Sequence, residues 1–416
     1  MISNKCNHKI IAYVITILLV VLTVQNVQAL TKSIRFEANN GSDWHLYAVE
    51  SGGFDYYSSL CLDSENLPHL VGSKWNDYYL TYANWHKKDW VIDDYACGFG
   101  EKYTVSMALD DNNIPHIAFC TRFEGMYILK YSTLVDDEWV LQLVDCGAEG
   151  FGLDNSIAID AMNRIHIAYA TDYESADIKY AFYDGNEWTT ETVYAGESEE
   201  FVAFESDIAV DSNNCPHIAY KTYDKTDWDT TLCYAKKNGN SWEKEIVDDS
   251  NKAGYYLSID VDKSNNPHIS YVERSDGTDY VKIKYAYKEN NNWNIENLMT
   301  GKNQDGMTSI KVDSNDNPHI AICKQVDQYE SELIYMKKNG ASWESEVVYS
   351  GKPKYPCLQL DEDNNPHIGF CDQSSYTLYY VSTVKIDKSL MSRTSLQKLF
   401  DFFPILRNFV KSRCSK

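Results

Sequence analysis

The chain runs to 416 residues and carries 61 acidic against 38 basic groups, a formal charge of −23. Both ends are basic, which leaves residues 30–384 with 28 basic and 59 acidic groups, a net −31. A surface this negative repels nucleic acid and anionic membranes and excludes both as partners of the body, although solubility alone is the plainer purpose of such charge.

Residues 1–29 read as an export leader: Lys5 and Lys9, an apolar run over 10–24, and the small-residue exit Val27-Gln28-Ala29. The apolar run is shorter than the roughly 20 residues of a membrane span, and no later stretch is long enough. The mature protein is therefore expected outside the cell or at its surface, without a transmembrane span.

From there one phrase recurs seven times, as in Asp262-Lys-Ser-Asn-Asn-Pro-His268-Ile-Ser-Tyr271. Its histidines are His69, His116, His166, His217, His268, His319 and His367, about 50 residues apart. Each copy carries an alternating run such as Ser258–Asp262, an Asn/Pro turn and the His run. A variable loop, a third run such as Ile283–Tyr287 and a turn delivering a tryptophan and a fourth run follow. Four short antiparallel strands at this period predict an all-β fold, a seven-bladed β-propeller over residues 30–384.

Seven tryptophans count the blades independently: Trp44, Trp90, Trp139, Trp188, Trp242, Trp293 and Trp343. They are out of phase with the histidines at the ends, so the Trp44–Val49 segment is expected to be the outer strand of the blade begun by Cys357–Phe370, closing the ring. Residues 33–38 also read as a strand.

Residues 385–416 break the pattern. Thr394 or Ser395 can cap a helix bearing Leu396, Leu399, Phe400 and Phe403, which Pro404 interrupts. This basic, amphipathic tail has two candidate docks: the acidic propeller itself or a membrane surface.

Seven copies of one imidazole argue for structure rather than catalysis. Each has an aspartate six residues earlier: Asp63, Asp110, Asp160, Asp211, Asp262, Asp313 and Asp361. Buried polar groups must be paired. A blade-internal network is expected, with the serine ten residues before the histidine (Ser59, Ser106, Ser156, Ser258, Ser309) and the tryptophan indole as further partners. The logic resembles the His/Asp/Ser/Trp network of WD-repeat propellers. The turn Asp313-Ser-Asn315-Asp-Asn317 begins like a calcium loop, but Pro-His stands where the glycine and later carboxylate belong, so calcium is the weaker alternative to a proline-capped Asx turn and no cofactor is expected.

Among the cysteines, Cys357 and Cys371 are the disulfide candidates. Pairing His367 opposite Asp361 places them opposite each other. Cys97 has Cys146 or Cys120 as alternatives.

Function is expected on the face carrying the second-to-third and blade-to-blade loops, where the repeats differ. Its aromatics, Tyr56, Trp75, Phe99, Phe123, Phe151, Tyr173, Phe201, Trp228, Tyr255 and Tyr355, lie among Asp, Glu and Asn, a mixture that suits sugar stacking and hydroxyl binding. The competing reading is that the inner ones plug the channel mouth.

The turns Asp184-Gly-Asn-Glu-Trp188 and Asn339-Gly-Ala-Ser-Trp343 resemble the second half of the Asp-box of sialidase-like propellers. Residues 33–384 as a whole resemble secreted propeller-repeat proteins of the sialidase-like and lectin-like kind. That resemblance implies a seven-bladed ring and a carbohydrate-directed role. The arginine triad of sialidases is not matched: the body has only Arg35, Arg122, Arg164 and Arg274. The first expectation is a non-catalytic protein that binds a glycan or protein ligand. The alternatives are a secreted glycoside-active enzyme, hydrolase or lyase, and a purely structural surface module.

Overall fold

The computed structural model describes residues 43–386, apart from 75–78, 97–100, 124–125, 148–150, 172–176, 197–200, 225–228, 251, 275–279, 303–305 and 328. The leader, residues 33–38 and the C-terminal segment from 387 lie outside the described residues. Seven four-stranded antiparallel sheets form a closed propeller, and the described residues contain no helix. In blade 1 the strands are Phe54–Leu62, Pro68–Lys74, Tyr79–His86 and Asp89–Ala96, inner to outer. Blade 7 combines both ends of the chain: Pro353–Leu360, Pro366–Asp372 and Thr377–Ser382 are joined on the outside by His45–Ser51. Tyr47 pairs with Tyr380 in that seam.

The repeated phrase builds the first turn and second strand of every blade. The residue three before each histidine adopts left-handed φ, 58° to 64°, and is asparagine in six blades and Asp316 in the other. Among side chains that tolerate this conformation, asparagine and aspartate lead. The aspartate caps the same turn. Asp313 Oδ1 accepts the backbone N–H groups of Asn315 and Asn317, both at 2.8 Å. Proline opens the second strand in six blades, where no ladder donor is needed. That strand is buried on both faces, because neighbouring blades cover it on each side.

Each of the seven histidine rings stands between an aspartate and a tyrosine, although His116 Nε2, 3.7 Å from Asp110, makes no hydrogen bond. Nε2 faces the aspartate Oδ2 at 3.1 to 3.7 Å in all seven blades. The other partner is a tyrosine of the third strand, whose hydroxyl donates to Nδ1 at 2.5 to 2.7 Å: Tyr82, Tyr131, Tyr180, Tyr234, Tyr285, Tyr335 and Tyr380. Burial, against the pull of its aspartate, lowers His217 and His319 to about 4, so both are neutral imidazoles.

Serine and tryptophan do not belong to this network; both reach across to the neighbouring blade. Trp293 Nε1 donates to Glu245 at 2.9 Å and Trp343 Nε1 to Glu296 at 2.9 Å. Each indole also stands edge-on to the histidine-bound tyrosine of the preceding blade, as Trp343 does to Tyr285 at 5.3 Å. The indole is too far out along the blade to meet its own histidine, which the second strand holds near the middle.

Candidate functional site

The seven inner strands surround a central channel, and the residues twelve, ten and eight before each histidine line it in tiers. The middle tier is a hydrogen-bonded belt. Ser59 Oγ accepts the N–H of Met107 in the next blade at 3.1 Å, and Ser106, Ser258 and Ser309 repeat the bond. Ser156 instead donates to Asp207 at 2.6 Å, and Asp207 accepts Ile259 N–H. Cys357 Sγ completes the circle by accepting Leu60 N–H at 3.2 Å.

This role places Cys357 away from Cys371, and no disulfide joins them. The expected disulfide fails on register. The aspartate closes its turn with the residue two before the histidine, as Asp361 N–H does with Asn365 O, so His367 pairs with Gln359 and Cys357 with Gly369. A bulge then puts Lys354 opposite Cys371.

The tier twelve before the histidine is where the blades differ: Tyr57, Thr104, Asp154, Glu205, Tyr256, Met307 and Tyr355. In six blades the pairing with the second strand slips between this tier and the next. Four of the residues adopt left-handed φ: Asp154 at 47°, Glu205 at 46°, Tyr256 and Tyr355 at 50°. Bulges re-aim side chains, and such backbone conformations cost of order 1 kcal/mol each for L-residues, so they persist where the surroundings enforce them. Here they turn side chains into a cavity of about 320 Å³, the size of a small ligand site.

The cavity wall is chemically divided. At the junction of blades 7 and 1 the rings of Tyr57 and Tyr355 lie 4.4 Å apart. Blades 3 and 4 contribute neighbouring carboxyl groups. Burial, and next the charge of Glu205, raise Asp154 to about 6. Glu205 is paired with Lys221 at 2.7 Å and also accepts the backbone N–H of Tyr256. Beyond Glu205 lies a cationic corner: the Tyr255 ring is covered by Lys221 at 3.8 Å and by the Arg274 guanidinium at 3.9 Å. Arg274 has only a long contact to the Tyr256 hydroxyl, 3.4 Å, and no carboxylate within ion-pair distance among the described residues. Burial, and then the charge of Asp154, push the Tyr57 phenol above its ordinary range, so it remains a hydrogen-bond donor.

Of the aromatics expected at this face, Tyr355 lines the cavity, while Tyr255 does not and is instead covered by Lys221 and Arg274. Trp75, Phe99, Tyr173 and Trp228 lie outside the described residues, and Tyr56, Phe123, Phe151 and Phe201 are described in backbone only. Asp154, Glu205, Lys221 and Arg274 were not singled out by sequence. Superposing the seven copies on their histidines would have exposed the first two, because position −12 changes chemistry in nearly every blade while −10 is almost always serine.

No protein-family model and no curated protein matches the sequence. Solved structures do match in fold, and most of those compared are glycan-active enzymes. A polysaccharide lyase described as a PL25 ulvan lyase superposes with a TM-score of 0.55 at 10% identity, over 80% of this chain and 95% of its own. The polysaccharide lyase Uly1 gives 0.51 at 10% identity, over 82% and 91%. A Hadza microbial sialidase gives 0.48 at 10% identity, over 73% of each chain.

Proposed function

We propose that this protein is an exported glycan-cleaving enzyme that works at the mouth of its central channel, with Asp154 as the proton donor. The observation carrying this reading is the pair of neighbouring carboxyl groups in different surroundings. Asp154 holds its proton to about pH 6, whereas Glu205 is bound by Lys221 and a backbone N–H. Two carboxyls so differentiated are the usual equipment for breaking a glycosidic bond, one protonating the leaving oxygen and the other facing the positive charge that develops on the sugar. Tyr57 and Tyr355 supply a stacking surface, and Arg274 is placed to hold an electronegative substituent. The two polysaccharide lyases with TM-scores above 0.5 are likenesses of fold; they add that such a ring can host glycan chemistry, not which glycan this one takes.

The test is a survey of neutral and acidic polysaccharides for release of reducing ends by the purified mature chain, repeated with Asp154→Asn and Glu205→Gln. The reading requires cleavage that both substitutions abolish while the fold is retained. A new ultraviolet-absorbing double bond in the product would identify elimination instead of hydrolysis. A second reading, binding without turnover, is favoured by the ion pair that already neutralises Glu205. Saturable retention on a glycan, with no products and no effect of Asp154→Asn, would establish it.

A further inference from the structure

The body of the propeller ends at Ile386, which is buried against Tyr47, Trp85 and Trp90 at the seam of blades 7 and 1. Thirty residues follow, with seven basic and two acidic groups and with Leu396, Leu399, Phe400 and Phe403 at the i, i+3, i+4, i+7 spacing of an amphipathic helix. One place on the perimeter matches them. The outer strand of blade 2, Glu138–Gly147, reads Val140-Leu-Gln-Leu143, where the corresponding strands of blades 3 to 6 read Thr-Thr-Glu-Thr, Glu-Lys-Glu-Ile, Asn-Ile-Glu-Asn and Glu-Ser-Glu-Val. Leu141 is 42% and Leu143 58% exposed.

Alternation along the strand puts both leucines on the side of Trp139, and Trp139 faces blade 1 by stacking on Tyr95 and donating to Asp93. Val91, 49% exposed, shares the Asp93 and Tyr95 side of the opposing strand. The groove between blades 1 and 2 is thus apolar, flanked by exposed carboxylates, and an edge strand of this kind is normally covered or charged.

We propose that residues 394–403 of the same chain lie in this groove, Leu396, Leu399, Phe400 and Phe403 against Leu141 and Leu143, with Arg393 and Lys398 toward Asp93. The reach suffices: residues 387–395 span up to about 30 Å when extended, and the groove lies one packed sheet beyond the seam, where sheets stack at about 10 Å, widening toward the rim. The charges are complementary, and a single blade separates the groove from the seam at which Ile386 is buried.

Hydrogen exchange on the mature full-length chain tests this, comparing wild type with Leu141→Asp/Leu143→Asp and with Ile246→Asp, an equally exposed control on blade 4. The expected result is protection of amides 394–403 by at least about tenfold, lost in the double variant and kept in the control. Unprotected amides in the free protein, protection arising only with phosphatidylglycerol vesicles, or protection indifferent to the double variant would each overturn the assignment.

Discussion

The Tyr47 hydroxyl accepts the backbone N–H of Ile386 at 3.0 Å, tying the first described strand to the last described residue. The bond lies at the junction where the two ends of the chain meet. Asparagines, or Asp316 in blade 6, join the first turns of the other adjacent blades, as Asn113 Oδ1 accepts Ser64 N–H and Asn364 Oδ1 accepts Ser314 N–H, but among the described residues no such bond links Asn66 to blade 7. The Trp90 indole there has no acceptor, as Trp44 has none at the junction of blades 6 and 7, because Tyr47 stands where five blades offer Asp93, Gln142, Glu191, Glu245 or Glu296. Ile386 covers this junction. Ile386→Ala is expected to cost about 2–4 kcal/mol through the cavity it leaves, and to release the His45–Ser51 strand first. Urea titration combined with exchange at that strand measures both; a loss below about 0.5 kcal/mol would mean the junction holds without its cover.

Most of this architecture was legible in the sequence because the ring repeats. Seven histidines and seven tryptophans counted the blades, and their offset at the ends located the closing strand that pairs with Thr377–Ser382. Partners within the blade were harder to read. Tyrosine occurs so often in this chain that the seven bonded to histidine gave no signal of their own, and the serine and indole bonds run between blades, where sequence spacing is silent. Register was misjudged by two residues because the five-residue turn closes on the residue before proline. The site escaped notice for the opposite reason: Asp154 and Glu205 depart from the repeat, in a chain with 61 acidic groups.

Acid should weaken the ring through its histidines. His217 and His319 titrate near 4 when folded but near 6.5 when unfolded, so the unfolded chain binds more protons between these values. Stability is therefore constant above pH 6.5 and falls as pH drops toward 4, by a few kcal/mol for each such imidazole. Asp313 continues the loss: burial raises its carboxyl, yet the donors of Asn317, Asn315 and His319 outweigh it and hold it at about 2, below its unfolded value. Melting temperatures from pH 7.5 to 4 check this; a flat profile would contradict neutral buried imidazoles.

The channel belt predicts unequal tolerance at Cys357. Serine occupies the equivalent place in five blades, and Cys357→Ser should change stability by no more than about 0.5 kcal/mol. Cys357→Ala leaves Leu60 N–H unpaired and should cost about 1–3 kcal/mol. Under denaturing conditions without reductant, peptide mapping should find Cys357 and Cys371 both alkylated; their recovery as one linked peptide would restore the disulfide that the register denies.

Asp154 should influence rate and stability in opposite directions. As a proton donor it acts only when protonated, so kcat/KM for a cleaved glycan is expected to fall as pH rises through about 6. Asp154→Asn should remove that limb and lower the rate by about 10²- to 10⁴-fold. The sign for folding follows from the raised value. The folded state binds the proton more tightly than the unfolded chain, so stability is lost between pH 3.8 and about 6 and the penalty persists above. Water in the channel screens part of it, leaving about 1–2 kcal/mol. Asp154→Asn should recover that amount at pH 7.5 and nothing at pH 4, as sites kept for function often do when neutralised. Chemical denaturation at the two pH values reads the difference directly. A variant equally stable or less stable at pH 7.5, with an unchanged pH–rate limb, would remove Asp154 from the chemistry altogether.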